Sequence, residues 1–185
     1  MGIKIITPAT APIIPLADVK LHLKVDTSTD DAYITSLIAA AANVIQHRTQ
    51  SSVGEQTLEL GLDEFPPGAI ELPRGPVTSV VSVRYYDSAE VLQIISPTDY
   101  VLDTYSETSW LLPGYGLVWP ETLRVANAVL VRYVAGSVSE SVRAAILLLV
   151  GHWHENRQAV SSTPGAMELP MGVAALLAES TVWSM

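Results

Sequence analysis

Seven consecutive apolar residues, Ala144 to Val150, lie inside a stretch with helical periodicity. Val142, Ile146, Leu149, Val150 and Trp153 mark one stripe, while Leu147 and Leu148 fill other faces. A helix that is apolar nearly all round has to be buried on several sides. The chain has 185 residues, the size of one ordinary domain. One of those sides is therefore expected to belong to a neighbouring subunit, with Ile146, Leu147, Leu148, Val150 and Trp153 as candidate subunit-interface residues. Composition agrees: 49% of residues are hydrophobic and 16% charged, which permits a real core and leaves surplus apolar surface.

Several function classes drop out. There are no cysteines, so disulfide scaffolds, zinc fingers, iron–sulfur sites and cysteine nucleophiles are excluded. The net charge is −9, and residues 51–136 carry four arginines against eleven acids. Such a chain is ill suited to gripping nucleic acid through phosphates. No apolar run reaches the ~18 residues that span a bilayer. The start Met1-Gly2-Ile3-Lys4-Ile5-Ile6 has neither a signal-peptide pattern nor a myristoylation signal, so a soluble cytoplasmic protein is expected.

The spacing predicts helices over about 16–24, 30–47 and 139–157, and a short one over about 171–180. Pro15 suits a helix start, and Ser28 to Asp31 and Ser137 to Glu140 fit capping boxes. Between them, about 53–135 reads as β. Leu58, Leu60 and Leu62 alternate, and in Val77 to Tyr86 the residues Val77, Val81, Val83 and Tyr85 are expected on one face. Further strands are expected near 91–94, 100–103, 110–112 and 128–134, with a turn at Asp87 to Glu90. The expected fold class is α+β but mainly α-helical: a helical bundle with an inserted small antiparallel sheet or barrel. Residues 1–157 form the main domain, and 158–185 form a linker and a helix that needs a docking surface.

Little chemistry is visible. His152, His154 and Glu155 resemble a metal site, but residues two apart on a helix point about 200° away from each other. A packed and a solvated histidine are expected, with no metal, no cofactor and no catalytic residue. Residues 30–47 lack the basic side chains of a recognition helix. Trp110, Tyr115 and Trp119 lie in a Pro/Gly-rich region, where loop aromatics either anchor a partner or cover the local core. They are candidate loop contacts. They also support an alternative reading, a monomeric acidic ligand-binding β module.

The phrases Pro15-Leu16-Ala17-Asp18-Val19-Lys20, Asp30-Asp31-Ala32-Tyr33-Ile34, Glu71-Leu72-Pro73-Arg74-Gly75-Pro76, Asp99-Tyr100-Val101-Leu102-Asp103 and Tyr115-Gly116-Leu117-Val118-Trp119-Pro120 follow in a fixed order. Val131-Arg132-Tyr133, His152-Trp153-His154-Glu155-Asn156-Arg157 and Glu168-Leu169-Pro170-Met171-Gly172 complete it. In this order the chain resembles phage head–tail connector (adaptor) proteins of the HK97 gp6-like class, and more closely the phiE125 gp8 branch. It departs from them at Arg48-Thr49-Gln50-Ser51-Ser52, where many relatives have an aromatic-Thr-Gly-Arg phrase.

The resemblance implies a non-enzymatic virion protein at the neck of a tailed phage or phage-like particle, assembled in the host cytoplasm. It implies a ring, dodecameric in the mature particle, beneath the portal protein, extending the DNA channel and docking a stopper or tail-completion protein. Double-stranded DNA would pass through without sequence-specific binding. On this expectation Leu169, Pro170, Met171, Val173, Leu176 and Leu177 form a portal-docking arm, and Trp110, Tyr115 and Trp119 make the tail-side contacts.

Overall fold

The structure, a computed structural model, describes residues 2–157 and 171–178. Along the chain, β1 (Gly2–Thr7) precedes α1 (Leu16–Leu23) and α2 (Asp31–Thr49). Then come β2 (Gln56–Leu62), β3 (Ile70–Leu72), β4 (Val77–Tyr86), β5 (Leu92–Ile95), β6 (Tyr100–Asp103), β7 (Ser109–Pro113) and β8 (Val129–Ala135). The last elements are α3 (Glu140–Glu155) and α4 (Met171–Ala178). The chain divides into a β unit, Met1–Thr10 with Glu55–Ser137, and a helical unit, Ala11–Gly54 with Val138–Met185.

The expected mainly helical bundle is corrected by these elements. Among the described residues helix and strand each make up 31%, so the fold is mixed α+β. The strands form two antiparallel sheets, ordered β1-β2-β8-β4-β5 and β3-β7-β6. The β unit is no minor insert because it has its own core. Leu58 and Leu60 from β2, Val83 from β4, and Val131 and Tyr133 from β8 pack with Ile70, Leu72 and Leu111 of the smaller sheet. Two strands escaped the sequence reading. β1 pairs with β2 across both N-terminal helices, and β3 is only three residues long.

β4 departs from simple alternation. Val77 faces Ala135 and Ser79 faces Val134, then Val80 faces Tyr133 and Ser82 faces Arg132. Thr78 and Val81 are the extra residues of two bulges, each of which re-aims the following side chains. Val81 is consequently exposed instead of joining Val77 and Val83 in the core. The turn at Asp87 forms as its residues dictate: the Asp87 carboxylate accepts from the Ala89 and Val91 amides, and Glu90 takes a positive φ.

In the helical unit, α2 buries Ile34, Ile38, Ala41 and Ile45 against Val142, Ala145, Ile146, Leu149 and Val150 of α3. α3 is capped by Ser139, whose Oγ accepts from the Val142 amide. No such side-chain cap forms at α2, where Asp30 stands at the N-cap with ψ near 6° instead of the extended backbone of a capping residue. The unusual exit of α2 has a defined shape. Gln50 adopts the left-handed conformation with φ 53°, where a glycine is most at ease. Thr49 Oγ1 donates to the Ile45 carbonyl, and Gln50 Nε2 donates to that of His47. Gln50→Gly is expected to stabilise the protein by about 1 kcal/mol, read as a rise of roughly 2–4 °C in Tm. A lower Tm would mean that the Gln50 side-chain bond outweighs the backbone strain.

Candidate assembly surfaces

Every expected interface residue on α3 can be assigned to a side of the helix. Ile146 and Val150 are fully buried in the core of their own helical unit. They are closed to a neighbour while that unit is folded. Leu147 and Trp153 are part-buried at the edge of the same core, and Leu148 is 41% exposed. The outward face of α3 thus narrows to Leu148, with Leu147 and Trp153 beside it.

The expected docking arm divides similarly. Leu169 and Pro170 lie outside the described residues, as does the expected linker from 158 to 167, and the side chain of Met171 is likewise outside them. α4 lies against α3, with Val173 and Leu177 buried and Leu176 part-buried. A Cβ on Gly172 would sit 3.8 Å from Leu148 Cδ1, so α4 reaches the neighbourhood of the exposed leucine.

The three loop aromatics do not converge. Trp110 lies on β7, with Glu71 and Asp103 as its cross-strand neighbours. Tyr115 is fully exposed. Trp119 is pinned: its ring stacks on Phe65 at 5.0 Å and its indole N–H donates to the Gly68 carbonyl at 2.7 Å. Together Phe65 and Trp119 wall a groove of about 580 Å³ that also carries Leu117, Val118, Glu121 and Arg124. Tyr115 and Val118 are the most exposed apolar side chains of this loop.

Among the described residues no group of three or more potential ligands could hold a metal. His154 instead sits 3.7 Å from Asp30, whose Oδ2 also accepts from Arg157 Nη2 at 2.6 Å. The Arg157 guanidinium lies over the Tyr33 ring, 4.8 Å from its centre. These contacts tie the end of α3 to the start of α2. The Arg157 hydrogen bond, opposed by partial desolvation, holds the Asp30 carboxyl below its ordinary 3.8. A lowered acid adds stability above that value and loses it as pH falls through the lower folded one. Acid titration of wild type is expected to show this loss below about pH 4, and Asp30→Asn to remove that part of the slope. Identical acid profiles for the two proteins would contradict the assignment.

A second ion network was not foreseen. Glu59 Oε2 on β2 accepts from Arg84 Nη2 of β4 at 2.7 Å and from Arg132 Nε and Nη2 of β8 at 3.0 and 2.7 Å. Glu59 and Arg132 are directly opposite, on the face of the sheet away from Leu58 and Tyr133. The available signal was a single charged residue in each of these three strands.

The matches to known proteins bear on these surfaces. A sequence profile described as phage gp6-like head-tail connector protein matches residues 13–105. The chain belongs to this connector family. Comparison with curated protein sequences gives no match. Among solved structures, the connector is similar to a chain in the neck of an empty gene transfer agent particle computed with C6 symmetry. The TM-score is 0.81 at 22% identity, covering 100% of this chain and 98% of that one. A chain in the virion of a native gene transfer agent particle gives 0.80 at 22%, with the same coverage. A chain in the neck of a native particle computed with C12 symmetry gives 0.75 at 21%, again with the same coverage. At such identities the likeness establishes the fold. The connector family is a structural one.

Proposed function

We propose that this connector sits in the neck of a tailed phage or phage-like particle, as a ring of identical subunits between the portal and the tail-completion protein, around the DNA path. The observation carrying this reading is the family match together with a fold likeness that spans the whole chain. A ring requires two different patches on every subunit. Leu148 with Trp153 on α3 is proposed as part of one of them, α4 with Leu176 as a portal-side element, and Tyr115 with its loop as a tail-side contact. The net charge of −9 suits a channel that lets DNA slide without gripping it.

Deleting the gene tests the role. DNA-filled heads and free tails that fail to join are expected, with joining restored by the gene in trans. Normal tailed particles from the deletion strain would contradict it.

A further inference from the structure

We propose that the five-stranded sheet continues from one copy of this chain to the next, the β5 edge of one copy pairing with the β1 edge of the following copy. The proposal rests on the ring reading above and names the joint that would build the ring.

Both edges are open. In the order β1-β2-β8-β4-β5, nothing among the described residues pairs with the outer side of β1 or β5. Proteins usually blunt such edges with prolines or charges, since unpaired backbone groups invite another strand. Here β5 (Leu92-Gln93-Ile94-Ile95) carries neither a proline nor a charge, and β1 has a single lysine. Every neighbouring pair in the sheet is antiparallel, and the strand number is odd, so β1 and β5 run in the same direction. Each copy thus offers one donor edge and one different acceptor edge, which makes a head-to-tail parallel joint that can repeat around an axis.

The side chains match across this joint. On the core face, Ile3 and Ile5 oppose Leu60 and Leu58, yet remain 36% and 42% exposed because the sheet stops there. Ile95 lies on the same face at the far edge, opposite the buried Val83. The joint would set Ile3 and Ile5 beside Ile95 and carry the apolar face onward. On the outer face, the register with Ile5 beside Ile95 sets Lys4 beside Ile94, which is 70% exposed, with Leu92, 42% exposed, one residue pair nearer the start of β1. β5 has no cation to oppose Lys4, which favours β5 against β1. An isologous β1–β1 pairing centred on Lys4 would bring two lysines together.

The chain has no cysteine, so introduced thiols can be read without background. Two double variants, Lys4→Cys with Leu92→Cys and Lys4→Cys with Ile94→Cys, put one thiol on each edge and cover a shift of one residue pair. Paired strands bring Cα atoms about 5 Å apart, within disulfide reach. The full-length proteins are oxidised alone and after mixing with the portal protein of their own particle. The expected result is a covalent ladder extending past dimers for at least one double variant, and no dimers for the single variants. Dimers from Lys4→Cys alone would replace the proposal with an isologous contact. Rings of normal mass without cross-links would overturn the joint and leave the ring reading standing, whereas wild-type protein that never assembles would overturn both. As a second reading, Ile94→Lys, at an exposed position, should raise the half-assembly concentration about tenfold with unchanged circular dichroism. Unchanged assembly of that variant would also overturn the joint.

Discussion

Replacing Tyr133 with alanine is expected to destabilise the β unit by about 3–5 kcal/mol, a large share of the roughly 5–15 kcal/mol that holds a typical domain together. Tyr133 is fully buried in the middle of β8, opposite Leu58 on one neighbour and Val80 on the other. Its removal leaves a cavity between the two sheets that this close-packed surrounding cannot collapse to fill. The hydroxyl adds a separate contribution by donating to the Pro73 carbonyl at 2.7 Å. Tyr133→Phe keeps the ring and orphans that carbonyl, at a cost of about 1–3 kcal/mol.

Burial also pushes the phenol above its ordinary value of 10. A raised folded value gives stability that is intact below the unfolded one, so wild type should lose stability as pH rises past about 10. Tyr133→Phe should lack that alkaline limb. Urea unfolding across pH reads all three effects, and an alanine variant within 1 kcal/mol of wild type would contradict the packing described here.

The second large effect separates core from contact surface on one helix. Ile146→Ala is expected to cost the helical unit about 2–5 kcal/mol, because Ile146 is fully buried against α2. Leu148→Ala, two residues on and 41% exposed, should leave the unfolding midpoint nearly unchanged and weaken assembly instead. Chemical denaturation gives the first comparison and mass determination across a dilution series the second. Equal destabilisation by both variants would mean that the outward side of α3 is part of the monomer core.

Particular residues show what could be read in the sequence. The α3 stripe announced itself through 3.6-residue spacing, and Val142, Ile146, Leu149 and Val150 are buried. Which of the surplus leucines stays open was not legible, since that depends on α2 and α4, which are distant in sequence. β2 and β8 were readable from local alternation, whereas β1 was not, since its partner lies beyond two helices. The balance of the fold is not legible for the same reason: a core shared by Leu58, Leu111 and Tyr133 has no local signature. Val81 was misdirected by a bulge, which shifts side-chain facing without altering hydrophobicity. The family was legible only from the order of many short phrases, each of them weak alone. The loop aromatics were ambiguous because stacking of Trp119 on Phe65 joins positions far apart in sequence.

The central claim is that this chain does its work as a ring on a portal. Its most direct test is the mass of the purified full-length protein, measured alone and mixed with the portal protein of its own particle. The account predicts a closed oligomer in at least one condition, either a ring in free solution or one that forms only on the portal. A monomer in both conditions would contradict it.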